Sequence, residues 1–249
     1  MCGRYTLIAN AEAIRLLFEV PAFDERLVAP RYNIAPTQPI VVVRSGSRGR
    51  ELIPVRWGLI PWWAKDLKTL PLMVNARAEQ VAERPAFRDA FKYRRCLVPA
   101  SGFYEWQSRR KGPKQPFLAS PGRIHPGGNE LIAFAGLWET WHGPDGSEID
   151  SATIIVTDAN AALAPIHDRM PVVLPAEDFA TWLSPESDAT ELQRLMKPAP
   201  DDLLALTPVS TRVNSAENDE PALIEQTELD GLGGGREQKE PEAAQMRLL

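Results

Sequence analysis

Proline is the residue that most limits how this chain can fold. Twenty-three prolines are scattered through 249 residues. Each one fixes φ and removes a backbone donor, so the chain is cut into short segments. Punctuation of this density favours short strands and turns over long helices. The β-branched run Ile40-Val41-Val42-Val43, a turn over 45–49 and a second run from Glu51 to Trp57 read as a hairpin. Six further strands are expected, at 2–8, 96–99, 102–107, 115–119, 131–138 and 153–157. Helices are expected in three places. Asn10 can cap one in which Ile14, Leu17 and Phe18 share a face, with Pro21 after its end. Pro85 to Tyr93 places Phe87 and Phe91 four apart. Asp188 and Glu191 form a capping box before Leu192. Many strands with few short helices predict a single α+β domain, 1–226, around an antiparallel, barrel-like sheet. From Leu229 the Gly- and Glu-rich end lacks a core pattern, so 227–249 is expected to be a disordered tail.

Composition narrows the function. No stretch approaches the roughly 20 apolar residues of a membrane helix, and no secretion signal opens the chain. A cytoplasmic protein is expected, associated with the nucleoid when it is bound to DNA. Two cysteines, Cys2 and Cys96, cannot build a disulfide framework. Together with three scattered histidines they give no metal-ligand spacing, so neither metal nor cofactor is expected. The net charge of −5 hides an asymmetry: +10 over 1–115, −9 over 116–214 and −6 over 215–249. A basic first half can hold phosphates although the whole chain is acidic.

Cys2 carries the most distinctive chemistry. Loss of Met1 would leave an α-amine and a thiol two carbons apart. The amine has a reference pKa of roughly 7.7–8, so much of it is neutral near pH 7. It can attack an aldehyde, and the thiol can then close a five-membered thiazolidine on the imine. The same terminus could instead serve an N-terminal-nucleophile hydrolase, or be only a frayed end. Glu105, in Gly102-Phe103-Tyr104-Glu105-Trp106, points opposite Tyr104 and Trp106 on a strand. If buried there, its pKa rises and it becomes a candidate acid or base; if exposed, it is ordinary. His167, before Asp168 and Arg169, can exchange a proton near neutrality or serve only as a structural hydrogen-bonding group. His125 and His142 sit in polar loops and look incidental. Asn75, Arg77 and Glu79 alternate with alanines, an arrangement that suits sugar and phosphate contacts or a plain solvent-facing edge. Trp62 and Trp63, beside Lys65 in a Gly/Pro loop, could stack on bases or pack inward; an adjacent pair cannot easily do the latter together.

Seven motifs together resemble the SOS-response-associated peptidase family: Met1 to Tyr5, Arg31 to Pro36, Arg56 to Pro61, Asn75 to Glu79, Gly102 to Trp106, Lys114 to Phe117 and Ile166 to Pro171. They occur in family order over about 220 residues. The resemblance implies a compact domain that binds single-stranded DNA, with Cys2 forming a thiazolidine with the opened sugar of an abasic site. It assigns Asn75 to orienting the lesion and the catalytic end. Glu105 is assigned to protons at the amine, and His167 to ring opening. Arg4 and Arg77 are assigned to phosphates, and Pro36 with Trp62-Trp63 to the flanking bases. A monomer is expected. A peptidase activity, implied by the family's name, and a non-covalent nucleic-acid module remain the alternatives. Gln80 departs from a common threonine, and Glu217 and Glu220 make the C-terminal motif more acidic than usual.

Overall fold

The structure is a computed structural model and describes residues 2–110, 112–122, 128 and 130–228. His125 and all but the first two residues of the expected tail lie outside the described residues. Thirteen strands follow the chain: β1 Tyr5–Leu7, β2 Arg31–Ile34, β3 Pro39–Gly46, β4 Gly49–Trp57, β5 Asn75–Arg77, β6 Arg95–Ala100, β7 Gly102–Gln107, β8 Gln115–Ser120, β9 Ile132–His142, β10 Glu148–Asp158, β11 Arg169–Pro171, β12 Val173–Leu174 and β13 Ala205–Pro208. Four short helices accompany them: α1 Ala11–Phe18, α2 Arg88–Tyr93, α3 Phe179–Leu183 and α4 Ala189–Leu195.

Strands β9, β10, β4, β3 and β6 hydrogen-bond in a ring that closes on β9, giving a five-strand barrel. Closure leaves no edge on these strands. The seam between β4 and β10 is parallel, with Arg56 opposite Ser151 and Trp57 opposite Ala152. The remaining barrel pairs are antiparallel, as expected. A second, antiparallel sheet runs β13-β8-β7-β1-β2. The chain passes from barrel to second sheet between β6 and β7 through Ser101, whose N–H donates to the Thr6 carbonyl at 2.7 Å. Gly102 makes that corner possible, because a Cβ there would sit 2.7 Å from the Ala119 carbonyl oxygen.

Alternation along β7 divides the molecule. Phe103 packs edge-on against Phe134 of the barrel, with ring centres 6.0 Å apart. Tyr104 points the other way, into a small cluster with Leu118, Val213 and Leu223. Both faces of β7 are covered, so the next residue on the barrel side, Glu105, is buried.

The sequence expectations hold with local differences. Asn10 caps α1 by accepting from the Ala13 N–H at 2.9 Å, and Ile14 and Phe18 are buried. Burying each of those two side chains contributes about 1.5–3 kcal/mol. The hairpin turn is tighter than read: Gly46 pairs with Gly49, leaving only Ser47 and Arg48 between the strands. The second helix starts at Arg88 rather than Pro85, because no side chain caps it earlier and 84–87 forms a turn instead. The capping box of Asp188 and Glu191 forms as expected.

Candidate functional site

Cys2 stands three residues before β1, and its side chain is fully buried. Burial pushes its thiol well above the ordinary range, and the nearby Glu105 charge pushes it further the same way. The thiol is therefore protonated at neutral pH. Glu105 is 3% exposed, and burial raises its carboxyl from 4.5 to about 7. Its Oε2 lies 3.9 Å from Nε2 of His167.

His167 comes from the loop that follows β10. The Gln107 side chain donates to the Pro165 carbonyl at 3.2 Å, which joins that loop to the end of β7. The Arg169 N–H donates to Nδ1 of His167 at 3.0 Å. That bond makes Nδ1 the acceptor and leaves the neutral ring's proton on Nε2, facing Glu105. Asp168, 2.9 Å from Nδ1, favours the charged ring, but burial has the larger effect and the pKa is lowered. The imidazole is neutral near pH 7.

Asn75 is positioned by way of β10. Its strand, β5, pairs with β10 at Ile154, Ile155 and Val156, while β11 pairs with β10 from the other side at Val156 to Asp158. The Arg169 side chain closes the gap by pairing with both Glu79 and Asp158. The Trp57 indole N–H donates to the Val74 carbonyl at 3.0 Å, and its ring meets Tyr5 edge-on at 5.3 Å. The strand carrying Asn75 is thereby tied to the strand that follows Cys2. Both polar atoms of the Asn75 side chain are buried without a hydrogen-bond partner. A buried amide left in that state costs about 1–3 kcal/mol and calls for an explanation.

The other expected residues divide. Arg77 is exposed on β5, whereas Glu79 has left the strand for Arg169. Arg4 is turned inward: its Nη1 donates to Oδ1 of Asn33 and to the Val213 carbonyl, both at 2.7 Å, and its guanidinium lies 5.9 Å from the Trp106 ring centre. Pro36 sits in a turn fixed by Thr37, a β-branched residue at φ 72°, whose N–H donates to the Trp57 carbonyl at 2.9 Å. Trp57 is in the core, and Trp62 and Trp63 are both exposed. Two structural partners were not read from the sequence. Asn33 is buried and donates to the Val213, Ser215 and Asn218 carbonyls. Asp219 accepts from the backbone N–H groups of Tyr32 and Asn33. The sequence signal for Asn33 was an amide between Tyr32 and Ile34 on a short apolar strand. Among the described residues no group of three His, Cys, Asp or Glu could hold a metal ion, and no helix is long and apolar enough to cross a membrane.

A closed barrel with a flanking sheet, presenting a buried cysteine, a carboxyl near neutrality and an imidazole, is a framework for nucleophilic chemistry. The chain belongs to the SOS response associated peptidase (SRAP) family, whose model matches residues 1–216. It is 42% identical over 227 residues to the abasic site processing protein YoqW of Bacillus subtilis, covering 90% of this chain and 99% of that one. It is 33% identical over 227 residues to the abasic site processing protein HMCES of Gallus gallus, covering 80% and 67%. A crystal structure of a protein from Bacteroides thetaiotaomicron shares the fold, with a TM-score of 0.77 at 23% identity over 91% of this chain and all of that one.

Proposed function

We propose that this protein captures abasic sites in single-stranded DNA by forming a thiazolidine between the lesion and Cys2, after Met1 has been removed. The observation that carries the reading is the grouping of a protonated buried thiol with a carboxyl poised near pH 7 and a neutral imidazole 3.9 Å from that carboxyl. The names of the relatives, abasic site processing proteins, point to the same lesion.

The chemistry follows from those groups. The closed hemiacetal of an abasic site must open before it can react: His167 in its protonated form donates from Nε2 to the ring oxygen as that C–O bond breaks, the anomeric hydroxyl gives its proton to water, and the aldehyde and a neutral imidazole are left. The α-amine of Cys2 attacks the freed aldehyde carbon, and loss of one water gives an imine. Glu105 accepts a proton from the amine while it is ionised and returns it to the departing hydroxyl. The thiol then adds across the C=N bond: sulfur bonds to carbon, and the thiol proton ends on nitrogen. Asn75 satisfies its buried amide on the opened sugar, and Arg77 holds a neighbouring phosphate. Arg4 contributes a phosphate contact only through donors not already used by Asn33 and Val213. Pro36 and Trp62-Trp63 flank the bases on either side. The protein acts as a monomer in the cytoplasm, at the nucleoid when it is bound to DNA.

A cysteine peptidase needs a thiolate, and burial holds this thiol protonated. The centre therefore favours capture through an imine over peptide hydrolysis. Mixing the protein with single-stranded DNA bearing one abasic site tests the reading on a denaturing gel. A retarded band that requires both the lesion and Cys2 is expected. Its absence, with Cys2 confirmed as the free N-terminus, overturns the proposal.

A further inference from the structure

Five large hydrophobic side chains are exposed among the described residues, and three of them are aromatic rings on one surface: Trp62 at 57%, Trp63 at 44% and Tyr93 at 61%. The geometry joins them. The Trp63 indole N–H donates to the Pro85 carbonyl at 3.5 Å, just ahead of α2. The Trp62 indole N–H donates to Oδ2 of Asp89, in the first turn of α2, at 3.4 Å. Asp89 and Tyr93 are four residues apart and therefore share a helix face. Lys92 completes the surface, with Nζ 5.0 Å from the Tyr93 ring centre. Arg88 lies 3.5 Å from the Asp89 carboxylate and offsets its charge.

We infer that the DNA path does not end at Trp62-Trp63 but continues onto α2. Tyr93 is a further stacking platform there, and Lys92 with Arg88 are phosphate contacts, for unpaired nucleotides beyond the lesion's immediate neighbours. The inference rests on the capture reading above and extends it. Separate rings interleaved with cations match what an unpaired strand requires, since each base offers a face to stack and each phosphate a charge to neutralise. A protein partner is a poorer fit, because Lys is depleted from such interfaces and charge is depleted from their cores. The loop that carries Trp62 and Trp63 is anchored to the strand of Asn75 through the core. Four residues separate Trp62 from the buried Trp57, and Trp57 donates to the carbonyl of the residue preceding Asn75. Asp89 places a negative charge on this surface, and Asp188 lines the same hollow as Arg88 and Lys92; both weaken binding there.

Fluorescence anisotropy with lesion-free oligodeoxynucleotides of roughly 6, 12 and 18 nucleotides brackets the usual range of site sizes. Tyr93→Ala is expected to weaken binding of the longer strands about tenfold and to leave the shortest unchanged. Lys92→Gln is expected to reduce the salt dependence by about one phosphate contact. Asp89→Asn is expected to tighten binding of the longer strands. All three variants are expected to crosslink a short abasic oligonucleotide as wild type does at saturating DNA, because none of these residues touches the reacting atoms. Tyr93→Ala and Lys92→Gln binding every length as wild type does would overturn the α2 path. Failure of the wild-type protein to crosslink any abasic strand would instead strike the capture reading, while the length series would still decide the path.

Discussion

Replacing Glu105 with Gln separates catalysis from stability, because the two should move in opposite directions. In the folded protein the carboxyl is raised from 4.5 to about 7. Between those values the folded state holds a proton that the unfolded chain has released, so stability falls as pH rises through that window. The cost is absent below about 4.5 and complete above about 7, where it amounts to roughly 3 kcal/mol. Gln keeps the shape and cannot ionise, so Glu105→Gln should match wild type at pH 4.5 and exceed it at pH 8. For a chain of this size that margin is roughly 6–12 °C in melting temperature. Catalysis moves the other way, and loss of a positioned proton acceptor lowers the crosslinking rate about 10²–10⁴-fold. The pH dependence adds a sharper mark. Both proteins gain rate as the Cys2 amine loses its proton, but only wild type also follows Glu105. The ionised fraction of that group rises from about one-tenth at pH 6 to about nine-tenths at pH 8. The ratio of wild-type to variant rate should therefore grow about tenfold across that interval. Melting by circular dichroism and single-turnover crosslinking, each at several pH values, provide the two readouts. A constant rate ratio, or a stability difference that is the same at pH 4.5 and pH 8, would refute the role of a buried carboxyl near neutrality.

Other expectations follow from single contacts. Asn75→Ala removes a buried, unpartnered amide; stability should change by less than about 1 kcal/mol while crosslinking falls at least tenfold. A large loss of stability with normal crosslinking would make Asn75 a structural residue. His167→Gln should slow capture of a natural abasic site about 10²-fold or more yet leave capture of an oligonucleotide bearing an acyclic aldehyde close to wild type. Equal losses on both substrates would remove His167 from ring opening. Asp219→Ala deletes the acceptor for two β2 backbone donors and an ion pair with Arg31. It should lower stability by about 2 kcal/mol, measured by denaturant unfolding, and a change within 0.5 kcal/mol would show that β2 needs no such clamp.

The local parts of the fold were legible because their causes are local. The cap on α1, the box on α4 and the hairpin each depend on residues a few positions apart, whereas the burial of Glu105, left open by the sequence, depends on distant segments covering both faces of β7. Barrel closure was not legible, since the parallel seam joins Arg56 to Ser151, and nothing near either residue signals it. The Asp219 clamp spans 187 residues from Tyr32, so a C-terminal motif read only as unusually acidic contains a residue whose role is structural. Arg4 shows the same limit. The family resemblance assigned it to phosphate, and the fold turns it toward Asn33 and Val213. Arg169 was quoted within a motif without a role, yet its backbone sets the proton position on His167 and its side chain joins the turn after β5 to the end of β10. Those features depend on which segments meet, and distant pairing decides that.

The most direct test is mass analysis of the N-terminal peptide from a crosslinked sample digested with nuclease and protease, after treatment with a thiol alkylating agent. The expected peptide begins at Cys2, carries the lesion sugar and resists alkylation, because amine and thiol are both closed in the ring. A crosslinked sample in which Cys2 is freely alkylated and the sugar sits on another residue would contradict the thiazolidine.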